Sequence, residues 1–172
     1  PHFHIPLQSG STRILGLMRR RYTAERYRDR IAKIRSLMPD AFIGIDVIVG
    51  FPGEGEEEFM ETYRLLEEVE ASFIHIFPFS ERPGTPAVTM PNKVQSSIST
   101  ARVARLEELC SRLHNAFATK FLGTEREVLF ESTDRNGLMY GYTDNYLRVA
   151  APYQTSKINT ICRVKLGSID AN

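Results

Sequence analysis

Cysteine is scarce in these 172 residues: there are two, Cys110 and Cys162, far apart and in no metal-binding spacing. That count excludes a disulfide-stapled secreted scaffold and reads both as reduced thiols of a cytoplasmic protein. Cys110 lies on the apolar stripe of a helical pattern, so burial is its expected state. Long hydrophobic runs are missing too. No stretch approaches the roughly 18–20 apolar residues needed to cross a bilayer, so no membrane partner is expected. No basic segment leads into an apolar one, which leaves no visible signal peptide. Neither charge is in excess: 22 Lys and Arg against 21 Asp and Glu give a formal net charge of +1.

The charge is unevenly spread. Residues 13–35 are basic, with Arg19, Arg20 and Arg21 consecutive, and residues 54–70 are acidic. Both blocks suit the solvated faces of successive helices, and the basic one also suits phosphates.

Three stretches, "HFHIPL", "AFIGIDVIVG" and "SFIHIFPFS", are largely apolar and rich in strand formers. Each leads through a Gly- or Pro-bearing loop into a helical pattern, which predicts parallel strands built as βα units. After Thr23, a predicted N-cap, Tyr27, Ile31, Ile34 and Met38 recur on one face up to Pro39. After "FPGEG" come Phe59, Tyr63, Leu66 and Val69, with Glu56, Glu57 and Glu58 in the first turn, where the helix dipole favours anions. Val103, Leu106, Cys110, Leu113, Phe117 and Phe121 form the longest stripe, with Gly123 as its expected cap.

Beyond Gly123 the texture changes. "REVLFES", "LMYGYTDNYLRVAAP" and "INTICRVKLGSI" are strand-like, and "DRNG" offers a turn at Asn136-Gly137. The expected organisation is an α/β unit over residues 1–122 and a small all-β unit over residues 123–172.

In parallel α/β sheets, ligands lie beyond the carboxyl ends of the strands. That places Gln8 and Ser9, Gly50 to Glu54, and Ser80 to Thr85 on one rim. Asp46 sits among aliphatic residues, where a carboxylate needs a partner: a neighbouring Arg or a ligand. His2 and His4 alternate with Phe3 and Ile5 and share a face; His75, between Ile74 and Ile76, is expected in the core.

Three motifs in order, "HFHIPLQSGSTRILGLMRRRY", "DVIVGFPGE" and "HIFPFSERPGTPA", resemble the C-terminal half of the radical S-adenosylmethionine (SAM) tRNA methylthiotransferases. The final unit resembles their TRAM domain, an OB-like β module, and "GYTDNYLRV" is most similar to the subgroup acting on N6-threonylcarbamoyladenosine beside the anticodon. The resemblance covers nearly the whole chain. It implies a partial (β/α) barrel of about three βα units, then the β domain. Two departures stand out: Gly55 occupies a usual Thr position, and Gly44 and Ile45 replace small hydroxyl residues.

The family's activity replaces an adenine C–H by a methylthio group, with one SAM cleaved to a hydrogen-abstracting radical and another donating the methyl group. The resemblance implies SAM and two [4Fe-4S] clusters in the full-length enzyme. Thiolates hold such clusters, and two scattered cysteines supply neither set, so the chain is expected to be part of a longer protein and inactive alone. No catalytic or metal-ligating residue is assigned to it. Gln8, Arg20 and Asp46 are the implied SAM contacts, with Ser80 near the adenine and His4 at the rim. Arg19 or Arg21 are alternatives to Arg20. An Arg fork suits the SAM carboxylate, and acceptors suit its ribose hydroxyls.

The implied partner is a tRNA anticodon stem-loop. Arg126, Arg148, Lys157, Arg163 and Lys165 suit phosphates, and Tyr142 and Tyr146 suit stacking on bases. A non-catalytic RNA-binding module, or an enzyme methylthiolating a ribosomal protein or an isopentenyl-type adenosine, are the alternative readings. Three βα units do not close a barrel, so the open edge strand is expected to drive self-association.

Overall fold

A computed structural model of the chain describes residues 1–131 and 136–169. Three strands, β1 (His2–His4), β2 (Phe42–Val49) and β3 (Phe73–Pro78), form a parallel sheet in the order β1-β2-β3. Helices α1 (Thr12–Leu17) and α2 (Ala24–Leu37) connect the first two strands, α3 (Glu56–Glu68) the second and third, and α4 (Ser96–Thr119) follows β3. Parallel strands alternating with helices match the arrangement of a partial (β/α) barrel.

Alternation along the strands divides the sheet into two faces. Ile43, Ile45, Val47, Val49 and Ile74 are buried with Tyr27 and Ile31 of α2, Phe59 and Leu66 of α3, and Leu106 and Leu109 of α4. Each such side chain contributes roughly 1.5–3 kcal/mol by leaving water. The Thr23 hydroxyl accepts from Arg26 N at 3.3 Å and caps α2. Gly55 opens α3 without a capping hydroxyl; instead its N–H donates to the Glu58 carboxylate at 2.8 Å.

Several local readings change in the structure. Met38 lies just past the end of α2, at its C-cap, and is exposed, as is Leu37 before it. Helix α4 ends at Thr119, and Gly123, at φ +78°, instead donates its N–H to Leu166 O at 2.8 Å. The six-residue α1 has too short a pattern to read from sequence, yet Ile14 and Leu15 are fully buried. Gly10 admits the close approach of the segment leading into α1 to α3: a Cβ there would fall 2.5 Å from Thr62 Cα.

A second, antiparallel sheet follows. Strands β4 (Glu125–Phe130), β5 (Leu138–Thr143), β6 (Arg148–Pro152) and β7 (Ile161–Lys165) lie in the order β6-β5-β4-β7. Asn136 and Gly137 take positive φ, as their sequence suggests, whereas Asp134 and Arg135 of that turn lie outside the described residues. Val128, Phe130 and Met139 form the centre of this sheet's core. A separate apolar cluster of Phe42, Phe117, Phe121, Leu147 and Leu166 joins the two sheets. No helix among the described residues is long and apolar enough to cross a membrane.

Candidate functional site

The face of the parallel sheet opposite the helices carries polar chemistry. His4, Asp46 and His75 converge there from three adjacent strands: His4 pairs in register with Gly44, and Asp46 with His75. The His4 ring nitrogen Nε2 lies 2.5 Å from Asp46 Oδ1. The His4 and His75 rings stack with centroids 4.9 Å apart, and Phe73 meets His75 edge-on at 4.9 Å. Asp46 therefore finds a histidine, where an arginine or a ligand was expected. His75 is half-buried on this open face and not in the core: Ile74 and Ile76 pack toward the helices, and period-two alternation turns His75 away from them.

The carboxyl ends of the strands form a rim. Gln8 is buried, with a left-handed φ of +70°. Its N–H donates to Asp46 O at 2.8 Å and its carbonyl accepts from Ile48 N at 2.9 Å, so its backbone is fixed beside Asp46. Leu7 N also donates to Asp46 O, at 3.1 Å, and this doubled contact is a local bulge. Arg20 is exposed beyond the end of α1, its N–H donating to Leu15 O at 2.9 Å. Nearby, the Tyr22 hydroxyl donates to Leu7 O at 3.0 Å; burial raises the Tyr22 phenol above its ordinary value, against the pull of the Arg20 charge. Ser80 is exposed two residues past β3, where Phe79 N donates to Val49 O at 2.7 Å. The structure thus groups Gln8 with Asp46 and His4, and leaves Arg20 and Ser80 on exposed segments of the rim.

Glu54 was placed on the rim by the sequence, but its partner in α4 was missed. Glu54 is buried, accepts from Gly50 N at 2.7 Å, and pairs with the equally buried Arg102 of α4 at 2.9 Å. Burial pushes the Glu54 carboxyl up, against the opposing pull of the Gly50 N–H and the Arg102 guanidinium. Arg102 had a signal: it stands one turn before Leu106 on the buried stripe, an unusual place for an unpaired cation. A cleft of about 490 Å³ opens beside this pair, lined by Gly50, Pro52, Pro78, Phe79, Lys93 and Ser99.

The residues read as RNA contacts divide on the second sheet. The Arg126 guanidinium pairs with Asp40 at 2.8 Å and lies 4.6 Å over the Phe121 ring, so it is engaged internally. Tyr146, at φ +67°, is stacked on His2 at 4.1 Å and on Tyr142 at 4.8 Å. Those contacts occupy ring surface that base stacking would use. Arg148 is exposed and covers the Tyr140 ring at 4.3 Å. Lys157 is half-buried in a short 3-10 turn, Thr155–Lys157. Arg163 and Lys165 are exposed on β7, alternating with half-buried Cys162 and Val164, and neither has an ion pair among the described residues.

Cys110 is buried against β3, where Ile74 N donates to its Sγ at 3.2 Å, and Cys162 lies on the other sheet. No thiol group of cluster-binding size exists among the described residues.

Residues 1–66 match the model of the Radical SAM superfamily. Over 169 residues the chain is 41% identical to threonylcarbamoyladenosine tRNA methylthiotransferase MtaB of Bacillus subtilis (strain 168), covering 96% of this chain and 38% of that protein. It is 51% identical over 129 residues to tRNA-2-methylthio-N(6)-dimethylallyladenosine synthase of Thermobifida fusca (strain YX), covering 75% of this chain and 26% of that one. A second MtaB, of Treponema pallidum (strain Nichols), is 41% identical over 147 residues, covering 86% of this chain and 30% of its own. The chain therefore spans between about a quarter and two fifths of the length of these curated relatives.

Proposed function

This chain belongs to the radical SAM tRNA methylthiotransferase family, and from that premise we propose that it is the SAM-side and RNA-side portion of an enzyme adding a methylthio group to C2 of N6-threonylcarbamoyladenosine beside the anticodon. The observation that carries the reading is the similarity to MtaB over 96% of the chain, which takes in both sheets.

SAM supplies the methyl group in such a reaction, and the rim offers groups that fit its organic part. The Gln8 amide, on a backbone locked to β2, would accept from or donate to ribose hydroxyls. Arg20 would hold the carboxylate as a bidentate fork, and Ser80 would meet the adenine through its backbone. Asp46 and His4 face each other at 2.5 Å on the same sheet face. The thiols do not fit an iron–sulfur cluster: one is buried against backbone, the other stands alone on the second sheet.

The antiparallel sheet, read as a TRAM domain, would hold the anticodon stem-loop through the exposed cations of β7 and Arg148. The dimethylallyladenosine substrate is the second reading, favoured by the 51% identity to a synthase of that name. The test is nucleoside mass spectrometry of tRNA from a strain lacking the full-length protein. Loss of 2-methylthio-N6-threonylcarbamoyladenosine supports the first reading. Loss of the dimethylallyl product alone replaces it, and loss of neither removes both.

A further inference from the structure

The His4, Asp46 and His75 group has more donor chemistry than the SAM reading uses. Two imidazoles and one carboxylate each offer an atom, and these three atoms lie within 4.8 Å of one another. They come from three adjacent strands of a rigid sheet, which sets their spacing better than a loop would. Among the described residues no Lys or Arg pairs with Asp46, and no hydrogen bond engages the His75 ring. Gly44 adjoins the group: a Cβ there would touch His75 Nε2 at an ordinary contact distance of 3.8 Å. All three residues remain reachable from solvent.

We propose that His4, Asp46 and His75 form a site for a divalent first-row transition ion, with solvent completing the coordination. Two histidines and one carboxylate on one side of an ion is the donor set of open, solvent-accessible zinc and iron(II) sites. Imidazole nitrogen selects such ions over magnesium and calcium, which require oxygen. With bonds of about 2.0–2.2 Å, the ion would draw the three donors inward by side-chain rotation. It would replace the His4–Asp46 contact, giving each a bond to metal instead. This inference rests on the cluster alone and not on which residues hold SAM.

The probe is Co²⁺, titrated into this chain and followed by its visible d–d absorption, with Zn²⁺ and Mg²⁺ as competitors. One equivalent is expected to saturate the bands, Zn²⁺ to abolish them and Mg²⁺ to leave them. His75→Gln and the near-isosteric Asp46→Asn should each weaken binding by more than about tenfold. His2→Ala and Cys162→Ser should not, because His2 stacks on Tyr146 and Cys162 lies on the other sheet. Absence of d–d bands overturns the proposal, as does wild-type affinity in both ligand variants, or loss confined to the His2 or Cys162 variant. If the variants misfold by circular dichroism, the wild type decides. Its cobalt form should show two exchangeable, paramagnetically shifted imidazole protons, and their absence overturns the site. Failure of SAM to bind the full-length protein would leave these results untouched.

Discussion

Arg102 of α4 reaches across to the loop after β2, where its Nη1 donates to Glu54 Oε2 at 2.9 Å and to Glu54 O at 3.1 Å. Both side chains are at most 5% exposed; Arg102 also pairs with Glu56 at 3.5 Å, so it is loss of Arg102 that leaves a buried charge, Glu54, without a cation. Arg102→Met should lower unfolding free energy by about 3–5 kcal/mol, and the double variant with Glu54→Gln should recover most of it. Urea midpoints of the four proteins measure this. Equal loss in single and double variants would remove the pair as the cause.

Gly10 should tolerate no side chain. Its Cβ would fall 2.5 Å from Thr62 Cα and 2.9 Å from Glu61 O, and backbone cannot swing aside as a side-chain tip does. Gly10→Ala is expected to cost on the order of 1–3 kcal/mol by overpacking and to displace α1 from α3. Gly16→Ala, with nothing within 4 Å, serves as control and should be neutral or stabilising. Thermal melts of the two variants compare them.

Acid should weaken the fold through surface carboxyls. The Glu70 carboxyl is held below its ordinary value by the hydrogen bond and charge of Lys120, and that of Glu56 by the hydrogen bond from Arg105. A carboxyl that ionises more readily folded than unfolded adds stability above its unfolded pKa. That stability is lost as pH falls through the lower, folded value. Melting temperature should therefore fall below about pH 4.5, the region where carboxyls titrate. Glu70→Gln should flatten that fall, and high salt should shrink it.

The two thiols should react at different rates. Burial raises the Cys110 thiol above its ordinary value and keeps reagents out, whereas Cys162 is half-buried on β7. Titration with a thiol-specific disulfide reagent should show one prompt thiol and one released only on unfolding. Two prompt thiols would contradict the packing of α4 on β3.

The proposed RNA binding offers a contrast within the second sheet. Arg163→Ala and Lys165→Ala should weaken binding of an anticodon stem-loop by the full-length protein and reduce the salt slope by about one each. Arg126→Ala should act chiefly on stability, since its guanidinium is committed to Asp40 and Phe121. Affinity measured across a salt series separates the two effects.

How much was legible depends on how local each signal is. "AFIGIDVIVG" announced β2 because apolar residues run along it, and Tyr27 and Ile31 announced the buried face of α2. The pairing of Asp46 with His4 was not legible, because it spans 42 positions and depends on strand order. The direction of His75 was legible in principle: Ile74 and Ile76 both face the helices, and alternation then sends His75 outward. Helix α1 escaped because six residues barely complete a turn and a half. The engagement of Tyr146 by His2 escaped because His2 lies on β1 and Tyr146 in the turn between β5 and β6, far apart in sequence.

The joint between the sheets has a kinetic meaning. Phe42, Phe117, Phe121, Leu147 and Leu166 are packed together, with the His2–Tyr146–Tyr142 stack beside them. A flexible tether would let the second sheet sample a volume, and each encounter would have to find its orientation anew. A packed joint removes that search before any ligand arrives. A ligand held by the second sheet would be delivered to one offset from the strand ends, the orientational entropy between the two sheets having been surrendered on folding.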